Sequence, residues 1–135
     1  MLTHEFDDER QILFLKFHGA IVEADLLNAF ALYEHKRFSA EHHVVYDTLG
    51  ADISFTSEAF TEVEKRYGNR NIRSVGSRTA FVVDSGLKRG VASLARTGVA
   101  KWRTNWRFFA TVEDACEWLV ADDPGEVDFA PTVTD

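Results

Sequence analysis

The chain has a single cysteine among its 135 residues, Cys116, so no internal disulfide can form, which fits a reducing compartment. No apolar run approaches the roughly 18 residues that a membrane-spanning helix needs. The first residues, Met1-Leu2-Thr3-His4-Glu5, lack the basic stretch and apolar run of a secretory signal. These absences lead to the expectation of a cytoplasmic protein. Neither G-x-G-x-x-G nor G-x-x-x-x-G-K-[ST] occurs, which removes the commonest nucleotide-binding loops. H-x-x-x-H and C-x-x-C spacings are missing too, and zinc needs three or four convergent ligands, so no metal is expected. There is no repeat, low-complexity run or internal linker, and nothing implies a cofactor.

What is present suits one globular domain. Hydrophobic residues make up 45% and charged residues 27%. The net charge of −7 conceals a sharp segregation. Residues 1–64 carry 4 Lys/Arg against 13 Asp/Glu, residues 65–110 carry 11 against 1, and residues 111–135 carry 0 against 8. A basic middle third between acidic flanks marks either an anion-binding face or segments that neutralise one another in the fold.

Hydrophobic periodicity gives the order β-β-α-β-α-β-α-β-α. Residues 3–8 and 11–18 read as two strands joined by the turn Asp8-Glu9-Arg10, the second nearly all apolar and ending at Gly19. Residues 23–37 read as a helix with Leu26, Leu27, Phe30 and Tyr33 on one stripe, Asp25 in its first turn and Lys36-Arg37 in its last. His43–Asp47 reads as a buried strand running into Thr48-Leu49-Gly50, and residues 57–67 as a helix capped by Thr56 or Ser57. Residues 78–83 read as a strand, 86–102 as a long helix and Asn105–Phe109 as a final strand. Thr111 caps a last helix whose inner face is Val112, Ala115, Cys116 and Leu119. The fold expected is α/β: a mixed five-stranded sheet covered by helices, with right-handed crossovers between parallel neighbours. The domain is expected to span 1–121, followed by an acidic, weakly ordered tail over 122–135.

Each residue set that could carry chemistry also has a structural reading. Asp84-Ser85-Gly86-Leu87-Lys88-Arg89-Gly90 follows a strand and opens a helix, so it could receive an anion, yet such turns use Asp, Ser and Gly for capping anyway. The histidines His4, His18, His35, His42 and His43 are expected at the surface, with His42 and His43 pointing to opposite sides of a strand. Cys116 is expected to be buried and inert, its thiol raised by burial and by Glu113, Asp114 and Glu117. Asp47 and Asp52 flank a β-to-α connection, where α/β sheets place ligands. Lys101-Trp102-Arg103-Thr104-Asn105-Trp106-Arg107-Phe108-Phe109 interleaves aromatics with cations and could hold an anionic amphiphile or simply pack. Nucleic acid is not expected for so acidic a domain.

The order of elements, with Phe108-Phe109-Ala110-Thr111-Val112-Glu113-Asp114-Ala115-Cys116-Glu117-Trp118-Leu119 closing it, resembles the SpoIIAA-like proteins of the STAS/SEC14 group over about residues 1–120. The resemblance implies a regulatory, non-enzymatic domain. Its anti-sigma-factor-antagonist members carry a phosphorylatable Ser in an Asp-Ser-Ser/Thr-Gly-type turn after the third strand. The matching stretch here is Asp52-Ile53-Ser54-Phe55-Thr56-Ser57-Glu58, without that motif, so a phospho-switch would fall on Thr56 or Ser57. Asp84-Ser85-Gly86 imitates the motif after the wrong strand. The SEC14 side of the resemblance implies a small lipophilic ligand.

The leading expectation is a binding domain for a small anionic or lipophilic ligand or a regulatory protein. It would use Arg89, Arg96, Lys101, Trp102, Arg103 and Trp106, with homodimerisation left open. A phospho-switched partner binder is the second expectation. An enzyme, with Asp47 or a histidine meeting the Asp84-Ser85 turn, is the third.

Overall fold

A computed structural model describes residues 1–53, 76–84 and 105–128, together with 58, 62 and 65. Its strands are β1 (Leu2–Asp7), β2 (Ile12–Ile21), β3 (His43–Ile53), β4 (Arg78–Val82) and β5 (Asn105–Phe109). Helix α1 (Glu23–Ala31) and a 3₁₀ turn (Leu32–Glu34) lie between β2 and β3, and helix α2 (Val112–Val120) follows β5. The strands form one sheet in the order β1-β2-β3-β4-β5. β1 runs antiparallel to β2, and β2 through β5 run parallel to one another. The mixed five-stranded α/β sheet expected from periodicity is therefore present.

Period-two alternation sends successive side chains to opposite faces. On the α1 face, Leu13, Leu15, Phe17, Val44 and Tyr46 pack with Leu26, Ala29, Phe30 and Tyr33. On the α2 face, Ile12, Val45, Ala80 and Val82 pack with Ala115, Trp118 and Leu119. The first half of β2 feeds both clusters, which is why it reads as nearly continuous apolar sequence.

Several boundaries differ from the sequence reading. β2 does not stop at Gly19; it continues to Ile21 because β3 extends alongside it to Ile53. Gly19 takes φ +70 within the strand, a conformation that favours glycine. α1 ends at Ala31, not at residue 37. Tyr33 is drawn onto the sheet, where its hydroxyl hydrogen-bonds that of Tyr46, and the chain leaves the helix axis. Lys36 and Arg37 consequently lie beyond the helix whose last turn they were expected to occupy, and Arg37 Nη2 pairs with Asp8 at 2.7 Å. In the first turn the Asp25 carboxylate accepts the Val22 N–H at 3.1 Å.

β3 is longer than expected because it pairs with β2 as far as Ile53, through a bulge. Lys16 faces Asp47, but His18 faces Gly50, so β3 carries one extra residue over this stretch. Thr48, beside the bulge, turns inward and donates to the Val82 carbonyl at 2.8 Å. Of the helix expected over 57–67, residues 58, 62 and 65 are helical. The helix expected over 86–102 lies outside the described residues.

The cap of α2 is as expected, with Thr111 Oγ1 accepting from Asp114 N at 3.2 Å. Its far end is held by a buried cation. Arg78, 8% exposed, donates through Nη1 to Trp118 O at 2.6 Å and through Nη2 to Asp122 O at 3.4 Å. A cation at the carbonyl end of a helix also complements the helix dipole. Residues beyond α2 then return to the sheet. The Trp118 indole donates to Pro124 O, Asp128 N donates to Trp106 O at 2.9 Å, and Phe108 N donates to the Asp128 carboxylate at 2.8 Å.

Candidate functional site

The aromatic side chains of the α1 face form a row across four strands. Phe17 stacks on Tyr46 at 6.2 Å, and Tyr46 stacks on Phe81 at 5.0 Å. Phe81 in turn meets Trp106 at 5.1 Å and Phe108 at 5.6 Å. The register explains the row, because Tyr46, Phe81 and Phe108 are direct neighbours on adjacent parallel strands. Phe81 and Phe108 are half-buried, whereas Tyr46 and Trp106 are buried. Trp106 is the one expected ligand-site residue within the described region, and its ring is 3% exposed against Phe81. Arg89, Arg96, Lys101, Trp102 and Arg103 lie outside the described residues, as do the phosphorylation candidates Thr56 and Ser57.

A second feature is a shallow depression of about 250 Å³ on the α2 face, lined by Thr3, Glu5, Phe14, Lys16, Asp47 and Val112, among others. Phe14 and Val112 give an apolar floor, and the charged groups form the rim. Lys16 and Asp47 are register partners on neighbouring strands, and the Asp47 carboxylate accepts the Leu49 N–H at 3.2 Å. Asp47 and Asp52 do not flank a β-to-α connection; both lie within β3. The bulge brings Asp52 to the Asp47 side of the sheet, although five residues separate them and simple alternation would oppose them.

Cys116 is half-buried, not fully buried as the helix stripe implied; Trp118 takes the inner position instead. Burial raises the Cys116 thiol above its ordinary range, the Arg10 guanidinium opposes this, and Glu113 adds to the rise. Arg10 is itself tied to Asp7, whose carboxylate accepts from Arg10 N at 3.0 Å and Arg10 Nε at 2.7 Å. Those two bonds hold the Asp7 carboxyl below its usual range, with the backbone N–H as the larger cause.

The histidines are not all at the surface. His42 is 5% exposed, and its Nδ1 accepts Ser39 N at 2.9 Å. His43 Nδ1 accepts Arg78 N at 2.9 Å, which ties the start of β3 to the start of β4. Among the described residues no group of three or more His, Cys, Asp or Glu side chains converges to hold a metal ion. No helix among them is long and apolar enough to cross a membrane.

The sequence reading did not single out Thr3, Glu5 or Lys16. Their signal was the alternation along β1, where Thr3 and Glu5 are polar and face the same side as Lys16.

Two solved structures are similar to this chain across most of its length. One is the anti-sigma factor antagonist SpoIIAA in its unphosphorylated form, at TM-score 0.55 and 16% identity, covering 87% of this chain and 96% of that one. The other is an uncharacterized DUF3478-family protein with a SpoIIAA-like fold from Shewanella loihica PV-4, at TM-score 0.58 and 15% identity, covering 88% and 92%. This chain has a SpoIIAA-like fold. No family model and no curated protein matches its sequence.

Proposed function

We propose that the chain is a non-enzymatic STAS-like regulatory domain of the cytoplasm that acts by binding a small anionic or lipophilic ligand. The observation that carries this reading is the aromatic row Tyr46–Phe81–Trp106–Phe108, half-buried at Phe81 and Phe108, within a SpoIIAA-like sheet. Aromatic faces cover apolar ligand surface, and the cations at Arg89, Arg96, Lys101 and Arg103 in the basic middle third would orient an anionic head. Titrating the full chain with a long-chain fatty acid, read by tryptophan fluorescence, tests it. A saturable change that weakens in Phe81→Ala and in Lys101→Glu supports the reading. No saturable change, or one indifferent to both substitutions, contradicts it.

A second reading is a phospho-switched partner binder. What favours it is the likeness to a protein described as an anti-sigma factor antagonist in an unphosphorylated form. Phosphate on Thr56 or Ser57 would add negative charge at the start of the helix expected there. Incubation with host kinases and intact-mass measurement decides: a mass shift mapped to Thr56 or Ser57 supports the switch, and none argues against it.

A further inference from the structure

The outer edge of β1 carries a pattern of its own. Met1 N donates to His18 O at 2.8 Å, and His18 N donates to Met1 O at 2.9 Å. This exchange fixes the phase of the antiparallel ladder, in which narrow and wide pairs alternate. The register then places narrow pairs at Thr3–Lys16, Glu5–Phe14 and Asp7–Ile12. Those residues direct their backbone groups inward to β2. Leu2, His4 and Phe6 direct theirs outward, and among the described residues those outward groups have no hydrogen-bond partner.

We infer that this edge is a docking surface for a second copy of the chain, β1 against β1, antiparallel about a twofold axis at His4. Residues facing each other across an antiparallel pair share a sheet face. A twofold axis therefore pairs even-numbered residues with even and odd with odd. With the axis at His4, Leu2 faces the partner's Phe6, His4 faces the partner's His4, and Phe6 faces the partner's Leu2. These are the three outward residues, so every outward group enters a narrow pair that exchanges two hydrogen bonds. Thr3 then faces the partner's Glu5 in the closer, wide pairs, a hydroxyl against a carboxylate.

The neighbouring registers are worse. An axis at Glu5 sets Glu5 against the partner's Glu5 with Cα atoms about 4.5 Å apart, a like-charge contact. An axis at Thr3 forms only the Leu2–His4 narrow pair and its symmetry mate. The dimer joins the two sheets into one, with each α1 face continuous with its partner's. Arg37 flanks the Phe6 end, its guanidinium 4.9 Å over the ring and tethered to Asp8 on the α1 face. That tether keeps the side chain over the ring rather than across the edge.

Sedimentation velocity of the full chain over a range of concentrations at neutral pH tests the inference, with three variants. His4→Pro removes an outward N–H and leaves the bonds to β2 untouched; it weakens association by about tenfold or more. Thr3→Glu places a second carboxylate opposite the partner's Glu5 and weakens association by about fivefold. Thr3→Lys replaces that contact with an ion pair and strengthens association by a similar factor. Thr3 is exposed, so the two Thr3 variants remain informative should His4→Pro disturb folding. A chain that stays monomeric at the highest concentration reached overturns the inference. So does a dimer whose strength none of the three variants alters.

Discussion

The two edges of the sheet are finished differently. At β5 the chain turns back after α2, and Asp128 binds Trp106 O through its N–H and Phe108 N through its carboxylate. One residue thus occupies a donor and an acceptor of the strand, and a further strand cannot pair there without displacing it. At β1 nothing among the described residues does this, although Thr3, Glu5 and Lys16 keep the adjacent sheet surface polar. An open edge is a template for another strand, and proteins ordinarily block it with charge, a bulge or a covering segment. Among the described residues one edge is blocked and the other is left open.

The closed edge depends on contacts far from it, and the largest expected effect follows from that. Arg78 holds both the end of α2 and Asp122, so Arg78→Ala removes a charged donor from both carbonyls, leaving Trp118 O only its bond from Ala121 N, and costs about 3 kcal/mol. Chemical denaturation measures the loss, and faster amide exchange at Phe108 shows that it reaches the β5 edge.

A proline pair separates the inner and outer sides of β1. Glu5→Pro removes an N–H bonded to Phe14 and costs the monomer about 2 kcal/mol, whereas His4→Pro costs about 0.5 kcal/mol or less. Equal losses in thermal denaturation would contradict the assignment of which residues face outward, and a larger loss for His4→Pro would reverse it.

Asp128→Ala reopens the β5 edge. Stability falls by about 1 kcal/mol, since the lost bond is charge-assisted but exposed. The variant also gains self-association that His4→Pro does not suppress. Thr111→Ala serves as the contrast: loss of the α2 cap costs about 1 kcal/mol and leaves association through either edge unchanged.

The smallest effect is on pH. The Asp7 carboxyl is held low by Arg10, so its contribution to the hairpin is complete above the ordinary carboxylate pKa of about 3.9. It is lost as pH falls through the lowered value in the folded chain. The turn therefore loosens only in acid, which a titration of the Arg10 amide shift by NMR follows.

Much of the fold was legible because strands buried on one or both faces carry their period in the sequence. β1 through β5 and α2 all appear where alternation or a Thr cap placed them, within a few residues. What was not legible depends on distant partners. Nothing local in Leu32-Tyr33-Glu34 announces that Tyr33 will leave the helix for Tyr46. Gly19 looked like a terminator because the extension of β3 beside it could not be foreseen, nor could the bulge that brings Asp52 to the Asp47 side. His42 and Cys116 were placed by residue type and helix stripe; packing buried His42 and left Cys116 half-buried, its thiol raised as expected. The candidate site divides in the same way: Trp106 alternated visibly with Phe108, but the row through Phe81 and Tyr46 required the strand register.

The most direct test of the two-edge account is amide hydrogen exchange measured as a function of protein concentration. The account predicts that the outward amides of Leu2, His4 and Phe6 are protected at high concentration and exchange freely on dilution. The amides of Phe108 and Asp128 should stay protected at every concentration. Protection at His4 that does not change with dilution, or protection at Phe108 that does, would contradict it.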